Sequence, residues 1–520
     1  MLTLRRTKLS ALLAFLLAIA GTALGGRVVY VDADATGENN GTSWSDAYTS
    51  LRLALEHARP DDEIRVARGL YRPTTAGGDR GISFSISCRL ALLGGFAGSG
   101  ATDPNARDFE LYGTVLSGDL NGDDAPTAGP GELTDEPTRN DNSRHVITVS
   151  DNAEGPGPPV LDGFTITGGN ADHPLTWPPD HRSCGAGLYV AKKCNVKVLN
   201  CSFTANSAQT GAALFYDHSA SALRKCTFTK NAAQASGGAI HDGWSSSTTV
   251  TDCKFNDNWA TEGGAVSSEG SKTLFTRCTF SANSAVRGGA IYNAWSHPTA
   301  RNCLFTGNLA KNGGAIHNWE ESEPILLNCT FSGNAAPYDP NDETGGDGGA
   351  ICNWEGSRAK ISNCIFWANT PDQIGGQHAG VEHSCIEGWT GGSNGGNIAD
   401  DPCFVDPGYW TTNGLWVDGD YHLKSQAGRF EPGTRTWLVD DVTSPCIDAG
   451  DMLSPIGLEP FPNGGIVNIG AYGATAEASK SYFGEPLCKT VIAGDINGDC
   501  SVDFADFCIL ALQWLKDGNP

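Results

Sequence analysis

From residue 201 to residue 369 the apolar and polar positions follow one phrase that returns about every 25 residues. It opens with a cysteine, places a phenylalanine two residues on and an asparagine three after that. Copies begin at Cys201, Cys226, Cys253, Cys278, Cys303, Cys329 and Cys364, in steps of 25, 27, 25, 25, 26 and 35 residues. Each closes on its asparagine: Asn206, Asn231, Asn258, Asn283, Asn308, Asn334 and Asn369. A second half follows, as Gly-Gly-Ala-aliphatic, at Gly237, Gly263, Gly288, Gly313 and Gly348. Cysteine and phenylalanine two apart share one face of a strand, here the inner one. Asparagine suits the tight turn that follows. The paired glycines allow another corner, and the Ala-aliphatic pair begins another short strand. Glycine recurs too often for helices of ten or more residues. Such a rung coils once and stacks on the next about 4.8 Å away. The pattern predicts an all-β chain, a parallel β-helix, right-handed by the usual crossover preference. The long last step holds an insertion, Pro337 to Asp347, read as a loop.

Outside the repeat the pattern is less regular. Val28 to Asp32, Ile64 to Ala67 and Leu90 to Leu93 read as strands, and Asp46 to Arg59 as a helix carrying Leu51, Leu55 and Ala58. Leu161 to Asn170 is already a rung, and Ser117 to Arg144 reads as loop. The expected division is a signal peptide (1–25), an N-terminal cap with first coils (26–140) and β-helix repeats (141–400). Terminal coils forming a C-cap (401–484) and a small C-terminal module (485–520) follow. The signal rests on Arg5, Arg6 and Lys8 before the apolar run Leu9 to Ala20, with Ala23 and Gly25 ahead of the cut. It predicts export, and no later run reaches the length of a membrane span.

Composition narrows the partners. The chain of 520 residues has 35 Lys+Arg against 59 Asp+Glu, a net charge of −24, which repels nucleic acid and anionic membranes. With 39% hydrophobic residues it can build a large core, which argues against disorder. Seventeen cysteines in an exported chain invite disulfides, yet the repeat cysteines stack in one inward column. A ladder of small buried thiols accounts for them better.

Two places carry candidate chemistry. Near the end, Asp495, Asn497, Asp499, Ser501, Asp503 and Asp506 occupy positions 1, 3, 5, 7, 9 and 12 of an EF-hand-type loop. Ser501 would ligate through its carbonyl, and Asp506 would close a Ca²⁺ site. A helix from Ala505 to Leu515, with Phe507, Leu510 and Trp514 at helical spacing, follows. Asp119 to Asp124 resembles the front of another such loop, but Pro130 stands where the closing acid belongs. The second place is one corner of the solenoid, after each Gly-Gly-Ala-aliphatic. It gathers His241, Asp242, Trp244, Asn293, Trp295, His317, Asn318, Trp319, Glu320, Asn353, Trp354 and Glu355. Trp244, Trp295, Trp319 and Trp354, with Asn293, Asn318 and Asn353, form a candidate glycan-binding column, since flat indoles stack on sugar rings. Glu320 and Glu355 fall at equivalent places on neighbouring rungs and are the catalytic candidates.

The Phe-x-x-Asn and Gly-Gly-Ala-aliphatic phrases resemble the polymorphic outer-membrane protein repeat family of exported β-helix proteins. Ile64 to Tyr71, Leu161 to Asn170, Ser444 to Gly450 and Val467 to Tyr472 are similar to a wider group of secreted bacterial β-helix surface proteins. The tail resembles the calcium-binding half of a dockerin, which implies a cohesin-like partner. It departs from that pattern in having one loop, and in Cys500 where glycine is preferred. Together these imply a monomeric, secreted or cell-surface β-helix that binds a glycan or a partner protein and attaches through its tail. The competing expectation is a polysaccharide-degrading enzyme, a lyase or glycoside hydrolase, delivered by the same tail.

Overall fold

The computed structural model describes residues 26–150, 157–176, 180–338, 345–377, 379–391, 395–484, 494–496 and 501–516. The leader at 1–25, Asn497 and Asp499 fall outside them. Each rung contributes short strands to three long walls, of twelve, eleven and ten strands, and to a five-stranded ledge. The twelve-stranded wall runs from Val28–Val31 to Gly380–Glu382 and the eleven-stranded wall from Gly69–Tyr71 to Cys385–Ile386. The ten-stranded wall runs from Phe84–Ile86 to Ile374–Gly376, and the ledge from Asn170–Ala171 to Ser284–Arg287. All pairs in these four sheets are parallel, and the chain is a right-handed parallel β-helix.

The repeat phrase explains the packing residue by residue. Phe203, Phe228, Phe255, Phe280, Phe305, Phe331 and Phe366 pair in strict register. Their rings stack with centroids 4.6–5.2 Å apart and within 10° of parallel. The cysteine column is buried beside them, every member a free thiol. Burial pushes the Cys201 thiol up to about 12 and raises those of Cys226, Cys278, Cys303 and Cys329, while a hydrogen bond from Cys226 holds Cys253 down.

The asparagines differ from expectation. The residue before each one takes the left-handed turn, for example Ala205 (φ 51°), Lys230 (φ 54°), Asp257 (φ 54°) and Ala282 (φ 54°). The asparagines point inward instead. Asn369 ends the ladder on Gln373 Oε1 at 2.6 Å, and from Asn206 to Asn334 each Nδ2 donates to the Oδ1 of the asparagine on the next rung at 2.8–3.0 Å. The backbone N–H donates to the same oxygen at 3.0–3.2 Å. A ladder of buried amides therefore satisfies the corner that a left-handed residue opens.

The N-terminal helix is shorter than expected, Leu51–Glu56, capped by the Ser50 side chain. Asp46 is spent instead on a turn, accepting from Glu38 N–H and Ser43. A larger difference lies at the other end. Residues 401–484 add no terminal coils; they form three antiparallel pairs and fold back over the eleven-stranded wall. The reason is in the outward residues of that wall. They are Ser202, Thr204, Thr227, Thr229, Lys254 and Asn256 on earlier rungs, but Leu304, Ile365 and Trp367 appear among Thr306, Thr330 and Ser332 on later ones. This apolar patch packs against Phe404, Tyr421, Leu423, Cys446, Ile447 and Ile469 as a second core.

Candidate functional site

The corner residues follow the end of the ten-stranded wall, whose register aligns Ala294 with Trp319 and Asn293 with Asn318 and Asn353. That register turns the asparagines inward. They are 0–1% exposed, and Asn293 donates to Asn318, and Asn318 to Asn353, at 2.8 Å. These asparagines brace the wall and leave the binding set.

The tryptophans divide into two pairs. Trp244 and Trp295 are 42% and 45% exposed, and their rings stack at 5.5 Å and 28°. The intervening rung places Gly270 between them, where a Cβ would run into the Trp244 ring. Trp295 takes a left-handed turn (φ 50°), held by its N–H on the Glu320 carbonyl at 3.1 Å. Trp319 and Trp354 are half-buried and tilted by 55° at 5.8 Å. Trp354 donates its Nε1–H to Asp347 at 2.9 Å, and the Arg287 guanidinium lies 5.7 Å over Trp319. Both rings close over His317, which is fully buried and held down to about 3, chiefly by burial. The outer pair faces solvent and the inner pair is a roof. Glu320 is half-buried and Glu355 exposed, both in left-handed turns.

Two regions offer hard oxygen ligands. In the tail, Asp495 and Asp506 are 5% and 2% exposed. Asp506 accepts from the N–H of Ile496 (2.6 Å) and of Asp503 (2.8 Å), so one carboxylate gathers both arms of the loop. Ser501 and Asp503 are exposed, and the helix that follows spans Phe504–Lys516. The donor set fits a hard cation. Upstream, the carboxylates of Asp119, Asp123 and Asp141 lie within 4.8 Å of one another. The third acid, Asp141, comes from a 3₁₀ turn 18 residues after Asp123, not from position 12 of the loop.

A third feature has no short motif. Where residues 401–484 meet the eleven-stranded wall, a cavity of about 430 Å³ opens between Lys254, Asn256, Thr279 and Ser281 on one side and Asp418, Asp420, His422, Glu431 and Tyr472 on the other. A second, of about 550 Å³, shares Thr279, Leu304 and Tyr472 and adds Asp252, Arg277 and Glu477. His422 is 1% exposed, bonds Asp420 through Nδ1 at 2.5 Å and lies under Tyr472, centroids 3.7 Å apart. Burial alone would raise the Asp420 carboxyl; the imidazole holds it below its ordinary value. These groups come from stretches about 40 and more residues apart, which no local spacing reveals.

The fold and these surfaces define a right-handed β-helix with a folded-back C-terminal segment. Residues 180–331 match the family model of right-handed β-helix regions. Residues 328–353 match the Chlamydia polymorphic membrane protein repeat, and 372–450 a family described as disaggregatase related. No curated protein matches the chain. Among solved structures, a pectate lyase is 14% identical with a TM-score of 0.49, over 86% of this chain and 96% of its own. A rhamnogalacturonan lyase is 12% identical with a TM-score of 0.38, over 76% and 96%. Likeness at this level carries no activity across.

Proposed function

We propose that this chain is an exported, surface-associated β-helix whose work is binding, and that it holds a polysaccharide on the Trp244–Trp295 corner. The observation that carries this is the exposed, stacked indole pair, a flat apolar face on a strongly acidic chain. A surface location is supported by the polymorphic membrane protein repeat at 328–353. The tail, loaded with Ca²⁺ on Asp495, Asn497, Asp499, Ser501, Asp503 and Asp506, is the attachment device, with a cohesin-like protein as its partner. The enzymatic alternative, a lyase or hydrolase, draws little from this corner. Glu355 is exposed, and the nearby Arg287 is spent on Glu262 at 2.9 Å.

The test is retention of the mature chain on a panel of immobilised polysaccharides. Trp295→Ala should weaken retention about tenfold, about 1.4 kcal/mol, with Tm unchanged. Trp354→Ala should instead lower stability, by up to about 3 kcal/mol, because it opens the roof over His317. Equal retention of wild type and Trp295→Ala would refute the corner.

A further inference from the structure

The outer face of the eleven-stranded wall is polar until residues 401–484 cover it. On four consecutive rungs it presents Ser202 and Thr204, Thr227 and Thr229, Lys254 and Asn256, Thr279 and Ser281. Three rung spacings make a track about 14 Å long. It runs into the paired cavities, whose volumes of about 430 and 550 Å³ fall in the usual range for ligand sites.

We propose that this cleft is a second binding site, for an uncharged polysaccharide that lies along the track and seats a sugar ring beside Tyr472. It deepens the glycan-binding function proposed above but uses different residues. Charge selects the ligand class. The described cavity walls carry Asp252, Asp418, Asp420, Glu431 and Glu477 against Lys254 and Arg277. Arg277 is already forked onto Asp252, at 2.7 and 3.1 Å. A uronate chain would meet net repulsion there. Carboxylates only accept hydrogen bonds, so the ligand must bring donors, and sugar hydroxyls do. The Ser, Thr and Asn side chains of the track both donate and accept, which also suits a polyol.

An independent observation points to a ligand. His422 lines the cavity, and its Nε2 is buried without a hydrogen-bond partner; Glu477 Oε2 stands 3.8 Å away, beyond bonding distance. A buried polar atom left open at a cavity wall costs stability unless something fills it. With Nδ1–H given to Asp420, Nε2 accepts, so a sugar hydroxyl donating to it would do so, a neighbouring hydroxyl donating to Glu477. Tyr472, fixed from one side by the His422 ring, borders both cavities.

The experiment titrates the full mature chain with labelled gluco-, xylo- and manno-oligosaccharides and with oligogalacturonates. Asn256→Trp places bulk on an exposed track position and leaves the C-terminal segment's core untouched. The expected result is binding of an uncharged oligosaccharide that Asn256→Trp and Tyr472→Ala each weaken about tenfold. Trp244→Ala/Trp295→Ala should leave part of that binding in place. Binding unchanged by Asn256→Trp but lost in the tryptophan variant overturns the cleft and leaves the corner standing. The reverse result keeps the cleft and removes the corner. Preference for oligogalacturonate overturns the ligand class, and no binding of any oligosaccharide at millimolar concentration overturns both sites.

Discussion

His317 has no exposed surface, and neither ring nitrogen finds a hydrogen-bond partner. It sits parallel to Tyr292, centroids 5.7 Å apart at 4°, beneath Trp319 and Trp354. The ring therefore serves as a flat aromatic. Burial pushes its pKa down to about 3, against about 6.5 in an unfolded chain. A histidine with a depressed folded pKa is favourable above the unfolded value, and its stability is lost as pH falls through the interval. His317 should thus cost about 1.4 kcal/mol per pH unit between about 6.5 and 3. His145, buried and held down to about 4, acts in the same direction. His317→Phe keeps the stack and removes the titration, so its Tm should fall less than that of wild type between pH 6.5 and 4. A variant as acid-sensitive as wild type would show that this ring is not the source.

Glycine replaces other residues at the left-handed turn before the asparagine ladder on two rungs, Gly307 (φ 56°) and Gly333 (φ 64°). Both lie under the Trp416 ring, where a Cβ would collide with it, and Trp410 donates to the Gly333 carbonyl at 2.8 Å. Alanine already occupies the equivalent turn at 205, 282 and 368, so the backbone there tolerates it. Gly333→Ala therefore isolates the tryptophan contact. Protease should cut within 401–484 about tenfold faster, corresponding to about 1.4 kcal/mol, with the β circular dichroism of the solenoid unchanged. Unchanged cleavage would mean that Trp416 does not hold the segment. These two rungs and the next carry Asn302, Asn328 and Asn363 before the cysteine, where the three rungs before them have Lys225, Asp252 and Arg277. Asn302 donates to the carbonyls of Ala471 and Gly473, Asn328 to that of Asn468, and Asn363 to Ser454 Oγ. The solenoid was legible because one phrase recurs and each copy restates the same inward column. The ladder role of the asparagines was missed because a turn former and its neighbour occupy one corner, and sequence does not say which bends. The returning segment was hidden because its partners lie tens of residues to more than a hundred residues away, with no local spacing to join them. Its only trace is where the repeat breaks its own habits, at Gly307, Gly333, Leu304 and Ile365.

As a whole the molecule is a long acidic solenoid with an aromatic corner on one side, a cleft under its folded-back segment and a ligand-rich tail. Calcium is the proposed ligand of the tail. Millimolar Ca²⁺ should protect residues 494–516 of the full chain from protease, and Asp495→Ala should abolish that protection; an indifferent wild-type chain would remove calcium from the account. The candidate corner was only half legible, since tryptophan spacing locates a column but not which rings turn outward. Gly270 made that choice, by leaving room for Trp244 and Trp295 to meet. The most direct measurement is calorimetric titration of the retained polysaccharide into wild type and Trp244→Ala/Trp295→Ala, at low and at molar salt. Stacking predicts wild-type affinity nearly independent of salt, and a loss of tenfold or more in the double variant with its melting unchanged. Wild-type binding that collapses at molar salt, or a double variant that binds as well as wild type, would contradict it.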